Sequence, residues 1–248
     1  MLKRIVVITL FRRIRHKLLS ENKWRNYLGY AVGEILLVVV GILIAIQVNN
    51  FYEKKKERKK EQAFLKEINL DFKSNKEQLD SIVEFNKVNL HAGRRLQEIL
   101  KNFDPENPKI TAKNKVFADS IGYYNNLVWR NKSFNPKNGT VEALLNSSSF
   151  DLIQNDTLRR NLISWRDVLG DYLEEEQFGI QFLFNEYGPW ARANLNPENP
   201  IGLFSLQNQN YLYKRVGDLN NNLITVKEEG VVDMINEIIS LTETPTND

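Results

Sequence analysis

The feature that most constrains this chain is an apolar run from Leu28 to Val48, 21 residues in which Glu34 and Gln47 are the only polar side chains. As an α-helix the run would measure about 31 Å at 1.5 Å per residue, close to the hydrocarbon thickness of a bilayer. Thirteen of its residues are Leu, Ile or Val. Each favours insertion by about 0.3–0.6 kcal/mol, against about 3 kcal/mol or less for Glu34, which lies toward one end. Trp24 and Tyr27 precede the run, Tyr30 lies in its first turn, and Phe51 and Tyr52 follow it, where interfacial aromatic belts belong. A buried core helix explains neither the length nor the belts. A cleaved signal peptide should be shorter and end in a small-x-small site. This run ends Ala45-Ile46-Gln47-Val48-Asn49-Asn50, so the anchor is expected to stay.

The flanks set the expected orientation. Lys3, Arg4, Arg12, Arg13, Arg15, Lys17, Lys23 and Arg25 precede the run, and Lys54, Lys55, Lys56, Arg58, Lys59 and Lys60 follow it among Glu53, Glu57 and Glu61. Eight basic residues against six favour a cytoplasmic N-terminus and a periplasmic C-terminal domain. Val6, Leu10, Ile14 and Leu18 recur every four residues between arginines. This suits either a basic amphipathic helix on an anionic leaflet or a tail held there by charge. Arg12, Arg13, Arg15, Lys54, Lys55 and Lys56 are the expected contacts to lipid phosphate. Gly29 and Gly33 form a G-x-x-x-G, and Gly41 and Ala45 repeat the small-residue spacing. Gly33, Gly41 and Ala45 fall near one face, where a second copy or a partner helix can approach, although glycine is also simply common in membrane helices. Glu34 is either an intramembrane polar contact or an interfacial carboxylate reaching headgroup water.

The remaining chain reads as mostly α: a helical, bundle-like soluble domain. Five segments are expected: a basic tail (1–26), a transmembrane helix (27–49), a long juxtamembrane helix (50–101), the rest of the helical domain (102–241) and a disordered tail (242–248). Between Glu53 and Leu100 there is no proline and one glycine, Gly93. Leu65, Ile68, Phe72, Leu79 and Ile82 follow a three-four spacing that Asn75 and Asn86 interrupt. About two clean heptads remain, too few for a coiled coil, so the helix is expected to pack within its own domain. Pro105 and Pro108 mark a loop over 102–115, and 116–134 reads as less regular and aromatic, with Tyr123, Tyr124 and Trp129. Asn135-Pro136-Lys137-Asn138-Gly139 reads as a turn, Thr140 as the cap of a short helix, and Ser147-Ser148-Ser149 as its end. A helix capped by Asn155 or Asp156 carries Leu158, Leu162, Trp165, Leu169 and Tyr172 and should stop at Gly188-Pro189. A last helical segment covers about 206–241, with Gly217 and Gly230 as possible interruptions.

Phe11-Arg12-Arg13-Ile14-Arg15, Tyr30-Ala31-Val32-Gly33-Glu34-Ile35, Gly41-Ile42-Leu43-Ile44-Ala45 and Asn49-Asn50 resemble the N-terminus of a large family of bacterial membrane proteins classed as a domain of unknown function. Leu144-Leu145-Asn146-Ser147, Leu152-Ile153-Gln154-Asn155 and Leu158-Arg159 resemble a second block of that family. Members tend to carry glycine after the serine, where this chain has Ser148. The resemblance implies a bacterial cell membrane, taken as the inner one, and one anchor helix, and it transfers no catalytic residue.

The chemistry within reach is narrow. There is no cysteine, which removes disulfides, thiolate metal sites and a cysteine nucleophile. The two histidines, His16 and His91, lack the Glu-x-x-His spacing of a di-iron bundle. No Walker-type loop, dinucleotide fingerprint, H-E-x-x-H or G-x-S-x-G occurs. A net charge of +3, concentrated beside the apolar run, gives no reason to expect nucleic acid. Glu174-Glu175-Glu176 reads as a solvated face, since consecutive helix residues point apart. Arg159 and Arg160 could grip an anion but are expected first to pair locally with Asp156. Tyr123, Tyr124 and Trp129 could line a ligand pocket, although aromatic residues between helices are usually core. No cofactor or metal is expected. The first reading is therefore a non-enzymatic, membrane-anchored interaction protein. The alternatives are an envelope ligand-binding sensory domain and, last, an enzyme with unfamiliar acid chemistry.

Overall fold

The computed structural model describes residues 24–101, 112–196 and 200–243. The chain divides into two compact units, residues 1–60 and 61–248. Among the described residues the first unit is helix alone. Helix α1 (Trp24–Lys101) is continuous, so the expected anchor and the expected juxtamembrane helix are one element. The expected N-terminal tail lies outside the described residues up to Asn22 and Lys23.

In the second unit α1 is followed by α2 (Ala112–Val128), α3 (Gly139–Leu145), a 3-10 turn (Ser148–Leu152) and α4 (Asp156–Gln181). A π-helical segment (Phe182–Tyr187), α5 (Gly188–Asn194), a second 3-10 turn (Pro200–Phe204), α6 (Leu206–Glu228) and α7 (Val231–Thr242) complete it. The protein is mostly helical, with no strand among the described residues. Local chemistry fixes the ends. Asn155 Oδ1 accepts from Leu158 N at 2.9 Å and Ser205 Oγ from Asn208 N at 3.2 Å, each satisfying an orphan donor of a first turn. Gly230, at φ +67°, separates α6 from α7 in the left-handed conformation that glycine adopts without a Cβ clash.

The long helices bury residues at steps of four and three. In α1 the series runs Glu61, Leu65, Ile68, Phe72, Asn75, Leu79, Ile82, Asn86, Asn89, Gly93, Leu96, Leu100, buried throughout except the half-buried Leu65. In α4 it is Leu158, Leu162, Trp165, Leu169, Tyr172, Glu176, Gly179, and in α6 Asn208, Leu212, Arg215, Leu219, Asn222, Val226. This is the seam of coiled-coil-like packing. It corrects the two-heptad reading, because the asparagines occupy seam positions and do not break them. Helices α4, α6 and α7 pack together. One core joins Ile68, Phe72, Leu79 and Ile82 of α1 to Leu144, to Trp165 and its neighbours on α4, and to Ile235 and Ile238 of α7. A second joins Leu90, Leu96 and Leu100 to Ile121, Val128, Leu212 and Leu219. At Gly93 a Cβ would stand 2.6 Å from Val216 Cγ2 and 2.9 Å from Val128 Cγ2, so glycine sets how closely α1 is approached there.

Other expectations change. The aromatic stretch is helical as far as Val128, because Ile121, Tyr124 and Val128 repeat the three-four spacing, and only 130–138 lacks regular structure. Thr140 is not the cap of α3: Asn138 holds that position, and the Thr140 hydroxyl donates to Asp71 at 2.6 Å. Gly188-Pro189 does not end its helix. The π turn shifts the bonding so that Gly188 N–H reaches the Leu183 carbonyl, and the helix absorbs a proline that lacks a donor and would collide with a regular turn. Gly217 sits inside α6 without interrupting it. At the tail, Thr242 is buried and its hydroxyl accepts from Asn69 at 3.0 Å. Residues 244–248 lie outside the described residues.

Candidate functional site

The sequence singled out residues on the first half of α1. Gly29, Gly33, Gly41, Ala45, Glu34, Lys54, Lys55 and Lys56 are all exposed there. Nothing lies within 4 Å of the position a Cβ would take at Gly29, Gly33 or Gly41. At about 100° per residue the winding spreads Gly33, Gly41 and Ala45 over about a third of the circumference. A close helix crossing would therefore use Gly29 with Gly33, or Gly41 with Ala45, and not all four. The helix carries a window of mean hydropathy 2.6, none of it buried, and is long and apolar enough to cross a membrane. Arg12, Arg13 and Arg15 lie outside the described residues.

A second feature was invisible in the sequence. The segment without regular structure after α2 has several of its backbone groups bonded to side chains of α1, α4 and α6. Asn75 pairs with Lys137 as a strand would, accepting from its N–H at 2.7 Å and donating to its carbonyl at 3.0 Å. Phe134 N–H donates to both Glu176 carboxylate oxygens, at 3.0 and 3.2 Å, and Asn135 N–H to Gln78 at 3.0 Å. The Arg130 carbonyl accepts from Asn89 at 3.1 Å and from Arg215 Nη2 at 2.7 Å, while Arg215 Nε reaches the Val128 carbonyl at 3.0 Å. Trp165 Nε1 donates to Asn138 at 2.9 Å. Buried backbone must be paired, and here α1, α4 and α6 supply what a neighbouring strand would. Trp129, at the start of the segment, stacks on Tyr187 of the π turn with centroids 3.4 Å apart.

Burial dominates the electrostatics. It raises the Glu176 carboxyl above its ordinary range, opposed by the Phe134 N–H. It pushes the Arg215 guanidinium down to about 10, opposed by Asp218. Burial also raises Asp218 itself, against the pull of Lys214 and Arg215. Glu176 therefore corrects the expectation of a solvated acidic run: Glu174 is exposed, Glu175 half-buried and Glu176 buried. Arg159 meets Asp151 at 3.6 Å and lies over the Phe150 ring, and Arg160 donates to Thr157 at 3.1 Å. The local acid is thus Asp151, not Asp156. Among the described residues no group of three or more His, Asp or Glu is placed to hold a metal ion.

Between α1 and α2 lies an open cleft of about 230 Å³ lined by Glu84, Lys87, Val88, His91 and Ala92 on one side and Tyr123, Tyr124 and Leu127 on the other. Tyr123 was expected in the core and is 62% exposed, edge-on to Tyr124 at 5.4 Å. Trp129, by contrast, is packed as expected. The signal for the cleft was partly legible: Glu84, Lys87, Val88 and His91 sit at helical spacing opposite a tyrosine pair.

Fold and surfaces together define an all-helical domain whose first helix carries an apolar stretch of membrane-crossing length. The chain belongs to a family of unknown function, DUF6090, whose model matches residues 34–161. No curated protein and no solved structure matched in the corresponding searches.

Proposed function

We propose that the chain is a membrane-anchored interaction protein without catalytic chemistry, in a bacterial inner membrane with its helical domain on the periplasmic side. Leu28–Val48 spans the bilayer. Arg12, Arg13 and Arg15 on one side and Lys54, Lys55 and Lys56 on the other meet lipid phosphate. The small residues of α1 admit a second copy or a partner helix, and Glu34 serves as a polar contact near one end of the span. The observation that carries this reading is the exposure of the apolar window, none of which is buried. A core helix of that hydropathy would be covered by its own protein. The test is alkaline extraction of membranes followed by ultracentrifugation of the full chain. Product in the pellet supports the anchor, and product in the supernatant overturns it. Since the chain has no cysteine, Asn236→Cys gives a single thiol for an impermeant reagent, and labelling of intact cells with a permeable outer membrane is expected for a periplasmic domain. Gly33→Leu with Gly41→Leu should reduce crosslinking in membranes, and unchanged crosslinking would remove the assembly part.

A second reading, an envelope ligand-binding domain, is favoured by the cleft between α1 and α2.

A further inference from the structure

The cleft has a particular chemistry. Its α1 wall presents Glu84, Lys87 and His91 within two turns of one face, with Val88 and Ala92 beside them. Glu84 and Lys87 are 3.5 Å apart, with side chains 70% and 59% exposed. Such a solvated pair is worth ~0–1 kcal/mol, so either partner exchanges it for a ligand group at little cost. His91 is exposed. The opposite wall offers the Tyr123 ring, and Val88 on the α1 wall is 45% exposed. The cleft thus offers aromatic and aliphatic surface beside charges of both signs, the mixture of apolar lining and a few polar groups that a small-molecule site needs.

We infer that this cleft binds a small zwitterion bearing a flat ring, of the size and kind of an aromatic amino acid. The inference rests on the ligand-binding reading. A ligand of one sign meets a like charge, Glu84 for an anion or Lys87 for a cation. A zwitterion instead places its carboxylate on Lys87 and His91 and its ammonium on Glu84. Its ring lies against Tyr123 and Leu127. The volume, about 230 Å³, falls below the range of about 300–1,000 Å³ for drug-sized ligands and admits one such molecule.

The experiment is isothermal titration of the full chain in detergent micelles with L-phenylalanine, L-tyrosine and L-tryptophan. L-alanine, 3-phenylpropionate and 2-phenylethylamine are the controls. The ring-bearing amino acids are expected to bind. Each control lacks the ring or one charge and is expected to bind about tenfold or more weakly, the usual penalty for losing a stacked ring or a charge-assisted hydrogen bond. Tyr123→Ala should weaken binding by about fivefold to tenfold, and Val88→Trp should abolish it by filling the cleft. Both positions are at the surface, so the melting temperature should hold, and Lys87→Glu provides a further loss of binding without any change in packing. Absence of heat with all three amino acids overturns the inference, as does unchanged binding in Val88→Trp or equal binding of a singly charged control. A thermal-shift panel of other small metabolites separates the two levels. A stabilising compound of different chemistry, lost in Val88→Trp, leaves the ligand-binding reading standing without the zwitterion. Silence across the panel removes both.

Discussion

Leu37, in the apolar run of α1, is 73% exposed, while Asn75, further along the same helix, is 1% exposed. The first stretch is the most hydrophobic of the chain and nothing described covers it. The second carries Glu61, Asn75, Asn86 and Asn89 at buried positions. Burial in this protein thus follows the availability of a partner and not hydrophobicity alone. Each seam asparagine has its counterpart: the Lys137 backbone for Asn75, Asn222 at 2.8 Å for Asn86 and the Arg130 carbonyl for Asn89. Asn75, bonded through both its amide oxygen and nitrogen, costs little there, whereas the Asn89 Oδ1 is buried without a partner among the described residues. Each asparagine specifies which segment docks against it.

The largest effect should come from the apolar side of the seam. Trp165 is buried against Phe72, with ring centroids 5.0 Å apart, and donates to Asn138. Trp165→Ala should cost about 3–5 kcal/mol in chemical denaturation. A loss below about 1 kcal/mol would mean that this core is not packed as described. The polar side is sharper. Asn75→Leu makes the seam more regular in sequence but leaves the N–H and carbonyl of Lys137 without their partner. A drop of about 2 kcal/mol is expected, since unmade bonds at a partly buried backbone cost ~1–3 kcal/mol. A gain in stability would show that the seam prefers hydrophobicity after all, and the contrast between the two stretches would vanish.

Glu176 sharpens the same contrast through pH. Burial raises its pKa in the fold, so from about pH 4.3, the ordinary unfolded value, up to the raised folded value, the native state holds more protons than the unfolded one. Its contribution is therefore fully present below that window and lost as the pH rises through it. Glu176→Gln keeps an acceptor for the Phe134 N–H and removes the charge. The variant should unfold later than the parent near neutrality, by about 1 kcal/mol, with the difference closing below about pH 4. Asp218 titrates with the same sign in both proteins, so only the difference between parent and variant reports Glu176. A difference independent of pH would show that the carboxyl is not desolvated.

Much of this was legible in the sequence, and the failures share a cause. The apolar run, the helical class and the stripe Leu158, Leu162, Trp165, Leu169, Tyr172 follow from spacing and composition, which are local. Asn75, Asn86 and Glu176 were misplaced because a polar residue reads as solvent-facing until its partner is known. Those partners lie 42 to 136 residues away. The proline at 189 was misread because a π turn depends on what the following segment must reach. The cleft is half legible: a pocket beside Tyr123 and Tyr124 is one reading of that stretch, and only the packing of α2 on α1 leaves the Tyr123 ring open.

The smallest expected effect is the one that most directly probes the comparison. Leu37→Ala removes a large side chain from the most hydrophobic stretch, which in a core would cost about 2–5 kcal/mol. Leu37 is exposed, and alanine is the better helix former. Unfolding of the helical domain should therefore move by no more than about 0.5 kcal/mol. Partition into membranes should weaken by a similar few tenths, the share of one leucine in insertion. The informative measurement is the two readouts together: denaturation in micelles and the membrane-bound fraction after extraction. If the domain loses stability as a core variant does, the run packs against protein, and its exposure would no longer speak for lipid.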